Sequence, residues 1–323
     1  MSVQLTDDEL RAMLAPRLRW RTRFLGIERP VVPALRELAP ATPHPDEPTL
    51  IAALDDAESI AVYADWLEQQ GELERARWMR IYPDGDFLLR TRFGGIPAGL
   101  RGEPWPRCTC GQPLRFVGQV NGADAAEPAW FGLVTFFFCW SCCRYGEQDC
   151  GGPGPYRSWV VRAYPAAELD AFERLPLPDL GFLELGPERD AASEFVFLEG
   201  FVRGVREKSL PHYMHFVQHI RGDDVPRLDR LAYEMTDRPG ESERAPGQPP
   251  MPRNAGLALG GYAYWYNGPD ETPACPACAR PMELVLQIDP HESVHAGWGD
   301  VGTLFIFVCV RHRDLFGLRM QCT

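Results

Sequence analysis

Lysine is almost missing from this sequence. Its 323 residues include 33 basic side chains but one lysine, Lys208, and the net charge is −12. No run of lysine or arginine occurs. Nucleic-acid binding draws most of its affinity from phosphate neutralisation by a basic face, so nucleic acid is not an expected partner. Long apolar runs are missing too. The longest, Phe131 to Trp140, falls short of the roughly 20 residues that cross a bilayer, so no membrane is expected either. Residues 1–9 show no basic region leading into an apolar one, which argues against a secretory leader and for the cytoplasm. No glycine-rich phosphate loop and no nucleophile elbow is found. Without a visible nucleophile and base, an enzyme is not the expected class.

Ten cysteines stand out against these absences. In a reducing compartment, paired cysteines read as metal ligands or redox centres before they read as disulfides. Hydrophobic residues make up 45% and charged residues 24%, the balance of a soluble globular chain. The length allows one large or two ordinary domains, with enough core that folding need not rest on metal alone.

Thr6 and Glu9 have capping-box spacing ahead of Leu10, Met13 and Leu14, which predicts a first helix bounded by Pro16. Residues 40–48 read as a linker. Residues 49–80 follow a helical period, with Gly71 as a break between two helices and Tyr63, Trp66 and Leu67 buried. From about residue 87 the pattern turns to short strands: 116–120, 133–138, 159–164, 284–288 and 304–308. A helical stretch is expected over roughly 191–235. Residues 239–252 hold five prolines and two glycines in fourteen positions and read as a loop.

The chain also matches itself. Phe93-Gly94-Gly95-Ile96 corresponds to Leu259-Gly260-Gly261-Tyr262, and a cysteine pair follows each. Residues 113–121 then align with 281–289 without a gap, and Trp130 falls opposite Trp298. After a two-residue shift Gly132 meets Gly302, 136–139 meet 306–309, and Cys142 meets His312. A period near 170 residues indicates a duplicated unit and not a solenoid.

The repeat carries the chemistry. Copy one offers Cys108 and Cys110, then Cys139 and Cys142. Copy two offers Cys275 and Cys278, then Cys309 and His312. Two short pairs about thirty residues apart supply one structural zinc site, so two Zn2+ ions are expected. A cysteine exchanged for histidine between copies keeps a zinc ligand, whereas a merely buried thiol would give way to an apolar residue. Four ligands per site leave no open position for water, which argues against catalytic zinc. Cys143 is an alternative to Cys142; Cys150 and Cys322 read as buried thiols. His212, His215 and His219 share a helical spacing but lack the glutamate of a zinc protease. They read as surface residues, as do His291 and His295. Asp289 and Asp300 have no carboxylate counterparts in copy one. Gln119 and Gln287 repeat between apolar neighbours and suit either a buried hydrogen-bonded glutamine or a binding site.

Residues 92–97, 105–108 and 111–119, with 260–262, 275–278, 281–282, 287–289 and 302–309, resemble the bacterial YwqG-like family. They also resemble the related zinc-binding programmed cell death 2 proteins. The resemblance implies a duplicated α+β fold without known catalysis; the latter relatives act as chaperones for a ribosomal protein, and some YwqG-like relatives sit beside toxin genes. Residues 50–54 and 62–71 resemble the short bacterial repeat-companion domain.

These readings combine into one expectation. The fold is α+β: a helical segment over 1–85, repeat-companion-like at 49–80, precedes a duplicated antiparallel β-rich domain over 86–323. Copy one spans about 90–165 and copy two about 255–323. The expected function is a non-catalytic binding module for a basic protein, such as an immunity protein or a chaperone-like partner. A metal-dependent hydrolase and a zinc-thiolate redox sensor are the alternatives.

Overall fold

The computed structural model describes residues 4–26, 44–46, 49, 57–73, 76, 88–127, 129–142, 158–179, 195–197, 199–211, 216, 220–236, 256–265, 270–290, 294, 296–298 and 302–321. In chain order the elements are helix α1 (Asp7–Leu14), strand β1 (Arg19–Gly26), helix α2 (Ala57–Gln69), strands β2 (Arg92–Phe93), β3 (Ala98–Leu100), β4 (Arg115–Asn121), β5 (Leu133–Phe138), β6 (Trp159–Tyr164), β7 (Phe172–Arg174) and β8 (Gly200–Ser209), helix α3 (Val225–Met235), and strands β9 (Ala258–Gly260), β10 (Glu283–Ile288), β11 (Thr303–Val308) and β12 (Phe316–Gln321). The architecture is mostly antiparallel sheet with few helices. Among the described residues, no helix is long and apolar enough to cross a membrane.

Ten strands form one sheet in the order β12-β11-β10-β9-β1-β8-β2-β4-β5-β6, and β3 pairs with β7 beside it. The order reads alike from either end. The details match as well. Phe93 pairs with Gly118 and Arg92 with Gln119; Leu259 pairs with Leu286 and Ala258 with Gln287. The β4–β5 ladder slips between Phe116 and Gly118, and the β10–β11 ladder slips between Leu284 and Leu286. Each slip is a bulge, which bends the strand and re-aims the side chains beyond it.

Alternation along β5 and β11 divides the core. Val134, Phe136 and Phe138 join Leu304, Ile306 and Val308 in one cluster that also takes in Phe24, Val202, Leu286 and Leu318. Both arms of the sheet contribute to it, so they curl toward that face. The odd-numbered side chains point away. Phe137 packs with Trp105, Leu114 and Phe116, and Phe305 and Phe307 pack with Trp265, Met282 and Leu284. Burial on both faces explains why β5 and β11 read as continuous apolar runs.

The middle of the sheet corrects two sequence expectations. Residues 200–209, placed in a helical stretch, form β8, and helix resumes at α3. The N-terminal segment is not only helical, because Arg19–Gly26 is a central strand paired with β8 over eight positions. Both strands are rich in charge and lack the apolar alternation that marks a strand. Two of the charges on β1 are answered by one carboxylate of β8, that of Glu207. Arg21, 1% exposed, donates from Nε to Glu207 at 2.6 Å, and Arg23 donates to the other oxygen at 3.0 Å.

The predicted capping box is present on α1: Glu9 N–H donates to Thr6 Oγ1, and Thr6 N–H donates to Glu9. Leu10 and Leu14 pack against Leu228 and Leu231 of α3, and Asp7 joins Arg227 and Arg230 at the rim. On α2, Tyr63 and Leu67 are buried, while Trp66 is half-buried and stacks on Tyr63. Gly71, with φ at 81°, ends that helix. The Glu72 N–H reaches Leu67 O at 2.9 Å and the Gly71 N–H reaches Glu68 O at 3.0 Å, a Schellman stop. Much of 49–80, including 50–56, lies outside the described residues, as does 239–252.

Gln119 and Gln287 prove to be framework residues. Both are fully buried. Gln119 accepts from Ala98 N–H at 3.0 Å and donates to the carbonyls of Leu88 and Arg90. Gln287 accepts from Tyr264 N–H at 3.0 Å and donates to Gly256 O. Each ties the loop after a double glycine to the sheet. Replacing either by leucine leaves buried backbone groups unpaired, at about 1–3 kcal/mol for each orphaned group. Gln119→Leu and Gln287→Leu are therefore expected to lower stability by similar amounts in denaturant unfolding, and a neutral result at either would remove it from this role.

Candidate metal centres

Cys108 and Cys110 flank a tight turn ahead of β4, and Cys139 directly follows β5. Since β4 and β5 are hydrogen-bonded neighbours, the start of one and the end of the other lie side by side. The four sulfurs of Cys108, Cys110, Cys139 and Cys142 all lie within 4.8 Å of one another. Cys108 Sγ is 3.5 Å from Cys142 Sγ, and Cys110 Sγ is 3.9 Å from Cys139 Sγ. Cys108 and Cys139 are buried, Cys142 is partly buried and Cys110 is exposed.

The second cluster is built in the same way at the β10–β11 end. Cys275, Cys278, Cys309 and His312 also lie within 4.8 Å of one another. Cys278 Sγ is 3.7 Å from Cys309 Sγ, and His312 Nδ1 is 3.5 Å from Cys275 Sγ and 3.6 Å from Cys309 Sγ. The structure thus gathers the eight side chains singled out in the sequence into two groups of four. Cys143, Cys150, Cys322, His212, His215, His219, His291, His295 and Asp300 lie outside the described residues.

These separations test whether a metal fits. A disulfide needs sulfurs at about 2.0 Å, so none of these pairs is bonded. Zinc–sulfur bonds of about 2.3 Å and zinc–nitrogen bonds of about 2.0 Å give tetrahedral edges of about 3.8 Å between sulfurs and about 3.5 Å from sulfur to nitrogen. The observed edges agree in both clusters. Each group could therefore hold one metal ion.

The electrostatics point the same way. Burial and the neighbouring Cys108 thiol raise Cys142, and burial raises Cys139 to about 11. Four thiols this close cannot all ionise unaided, and a divalent cation at the centre supplies the missing compensation. The backbone already leans toward thiolate. Burial works against Cys309, yet the N–H groups of His312 and Arg311, aimed at its sulfur, bring it down to about 6. Ala277 and Cys278 aim theirs at Cys275, where burial still prevails and the thiol is raised.

The turns that present the first pair differ in length and in the residue that follows the second cysteine. Cys108 N–H donates to Gln112 O at 2.8 Å, and Cys275 N–H donates to Arg280 O at the same distance. In the first cluster the residue after the second cysteine is Gly111, with φ at 87°; in the second it is Ala279, with φ at 54°. A left-handed conformation suits glycine and strains alanine. The sequence signal was available, since both residues follow the last cysteine of a pair.

The match of this chain to a family model runs over residues 91–318. That family is described as a domain of unknown function, DUF1963. The chain belongs to it. A search of curated proteins found no match. The DUF1963 region includes both clusters and extends from just before β2 into β12. It leaves out β1, although β1 stands between β9 and β8 in the sheet.

The contrast between Gly111 and Ala279 yields substitutions of opposite sign. Gly111→Ala is expected to destabilise the metal-loaded protein by about 1–2 kcal/mol, the cost of a left-handed non-glycine residue. Ala279→Gly is expected to be neutral to stabilising, by up to about 1 kcal/mol. Thermal melts in the presence of metal compare them, and shifts of the same sign would contradict the turn geometry.

Proposed function

We propose that this DUF1963 chain is a duplicated, zinc-stabilised module of YwqG-like type that works by binding another protein. The observation that carries this reading is the pair of four-ligand clusters at corresponding ends of two matching strand sets. Soft, tetrahedral sets of four sulfurs, or three sulfurs and an imidazole, suit Zn2+. A full set of protein ligands favours a structural ion over a catalytic one, because no coordination position is left for substrate or water. Duplication is supported by the shared register, the shared bulges and the equivalent glutamines, and the repeated unit then takes in β1 and β8.

A cleft of about 130 Å³ lined by Arg19, Trp20, Glu127 and Glu283 lies against β9 and β10, and Arg19 and Glu283 face each other there at 3.4 Å. The net charge of −12 favours a basic protein client, since such a field steers encounter and selects against acidic partners. An immunity protein facing a basic toxin and a chaperone of a basic client both meet that description. The cytoplasm is the compartment that keeps the thiolates reduced.

Two measurements test the reading. Protein purified without added metal is expected to contain two zinc ions per chain. Cys309→Ala is expected to retain one and to melt well below a control at the exposed Val62 of α2, Val62→Ala, because structural zinc binding is coupled to folding. Zinc near zero, or equal melting of the two variants, would refute the structural role. A pull-down from native lysate at low and moderate salt addresses the partner, and a single stoichiometric basic protein released by salt is the expected result. Turnover of a small molecule with no protein captured would shift the function to an enzyme.

A further inference from the structure

The tryptophans that occupy equivalent positions in the two copies, Trp130 and Trp298, do not serve their own halves alone. Trp298 hangs on the connection between β10 and β11, yet its ring stacks at 6.3 Å on Trp140. Trp140 lies between Cys139 and Cys142, inside the ligand loop of the first cluster. Its Nε1–H donates to Gly297 O at 3.1 Å, so two contacts from the second half hold one ligand loop of the first. Trp130 hangs on the connection between β4 and β5 and reaches in the opposite direction. Its ring packs on Phe316 of β12 at 6.2 Å, and the guanidinium of Arg313, the residue after His312, lies 5.5 Å from its centre. Each ligand loop is thus braced by the other half.

Closing such a loop around an ion fixes several backbone torsions and one aromatic or cationic side chain. A brace already in place lowers the ordering cost of that step. The brace in turn sits on a connection whose ends are strands of its own cluster, so fixing the ion there steadies the brace. Coupling between binding events is reciprocal by thermodynamic necessity.

We infer that the two metal sites are energetically coupled across the halves, with Trp298 and Gly297 supporting the cluster of four cysteines and Trp130 supporting the cluster of three cysteines and His312. This rests on the metal reading given above. Aromatic and cation–π contacts of this kind correspond to about 2- to 10-fold in affinity.

Cadmium in place of zinc makes the test site-specific, because four sulfurs and three sulfurs with an imidazole give separate cadmium resonances. Failure to observe two resonances would refute the metal reading itself. With both present, loss of each signal to a chelator is followed in the full chain and in the Trp298→Phe, Trp298→Ala, Trp130→Phe and Trp130→Ala variants. The expected pattern is crossed. Changing Trp298 speeds metal loss from the four-cysteine site about 2- to 10-fold more than from the site in its own half, and changing Trp130 does the reverse. The phenylalanine variants keep an apolar ring and give a smaller effect of the same pattern if the alanine variants fail to fold. Acceleration confined to each tryptophan's own half, or equal at both sites, would overturn the inference.

Discussion

Two strands rich in arginine run side by side through the middle of this sheet, and a single glutamate on one of them answers two arginines of the other. Glu207 accepts from Arg21 and Arg23 of the neighbouring strand, while the ladder of eight paired positions between β1 and β8 provides the backbone bonds. Removing one partner of a buried ion pair is costly, because the remaining charge is left without water and without a counter-ion. Without Glu207 the central seam would carry like charges at close range. Within the ten-stranded sheet, the backbone hydrogen bonding passes from one arm to the other through this seam. Beside it, Arg92 is fully buried against Glu199 at 2.8 Å, so the same device recurs one strand farther on.

The two candidate metal clusters are peripheral to that seam and follow from the outer ladders. Hydrogen-bonded neighbours β4 and β5 present a turn at the start of one strand and a loop at the end of the other. The same holds for β10 and β11. Ligands thirty residues apart therefore become neighbours because the ladder between them is in register. The bulges at Phe116 and Leu284 add one residue to a strand on each side, which sets the direction in which the turn leaves the sheet.

Legibility in the sequence tracked burial. β4, β5, β6, β10 and β11 were readable because their faces are apolar, and the eight candidate ligands because their spacing repeats. The bracing strands were not. Arg19–Gly26 and Gly200–Ser209 carry charge where a strand usually alternates apolar residues, and only the partner strand reveals that Glu207 answers Arg21 and Arg23. Phe316–Gln321 follows the last ligand too closely to read as a separate element. Gln119 and Gln287 were visible as a repeated pair, but their role depended on which carbonyls the loops brought to them.

The placement of β1 and β8 bears on how the chain can be made. In the order of synthesis β1 precedes β2, yet it pairs with β9; β8 precedes β9, yet it pairs with β2. Each arm of the sheet is completed by a strand from the other part of the chain. A ribosome that has released residues up to Tyr164 has produced β2 without its inner neighbour, leaving an unpaired edge that invites association with other chains. That edge is covered only when Gly200–Ser209 emerges. The N-terminal strand must in turn wait about 230 residues for β9. Cutting the gene between β7 and β8 would therefore yield two fragments with complementary vacancies, each fitted to the other and neither closed on itself.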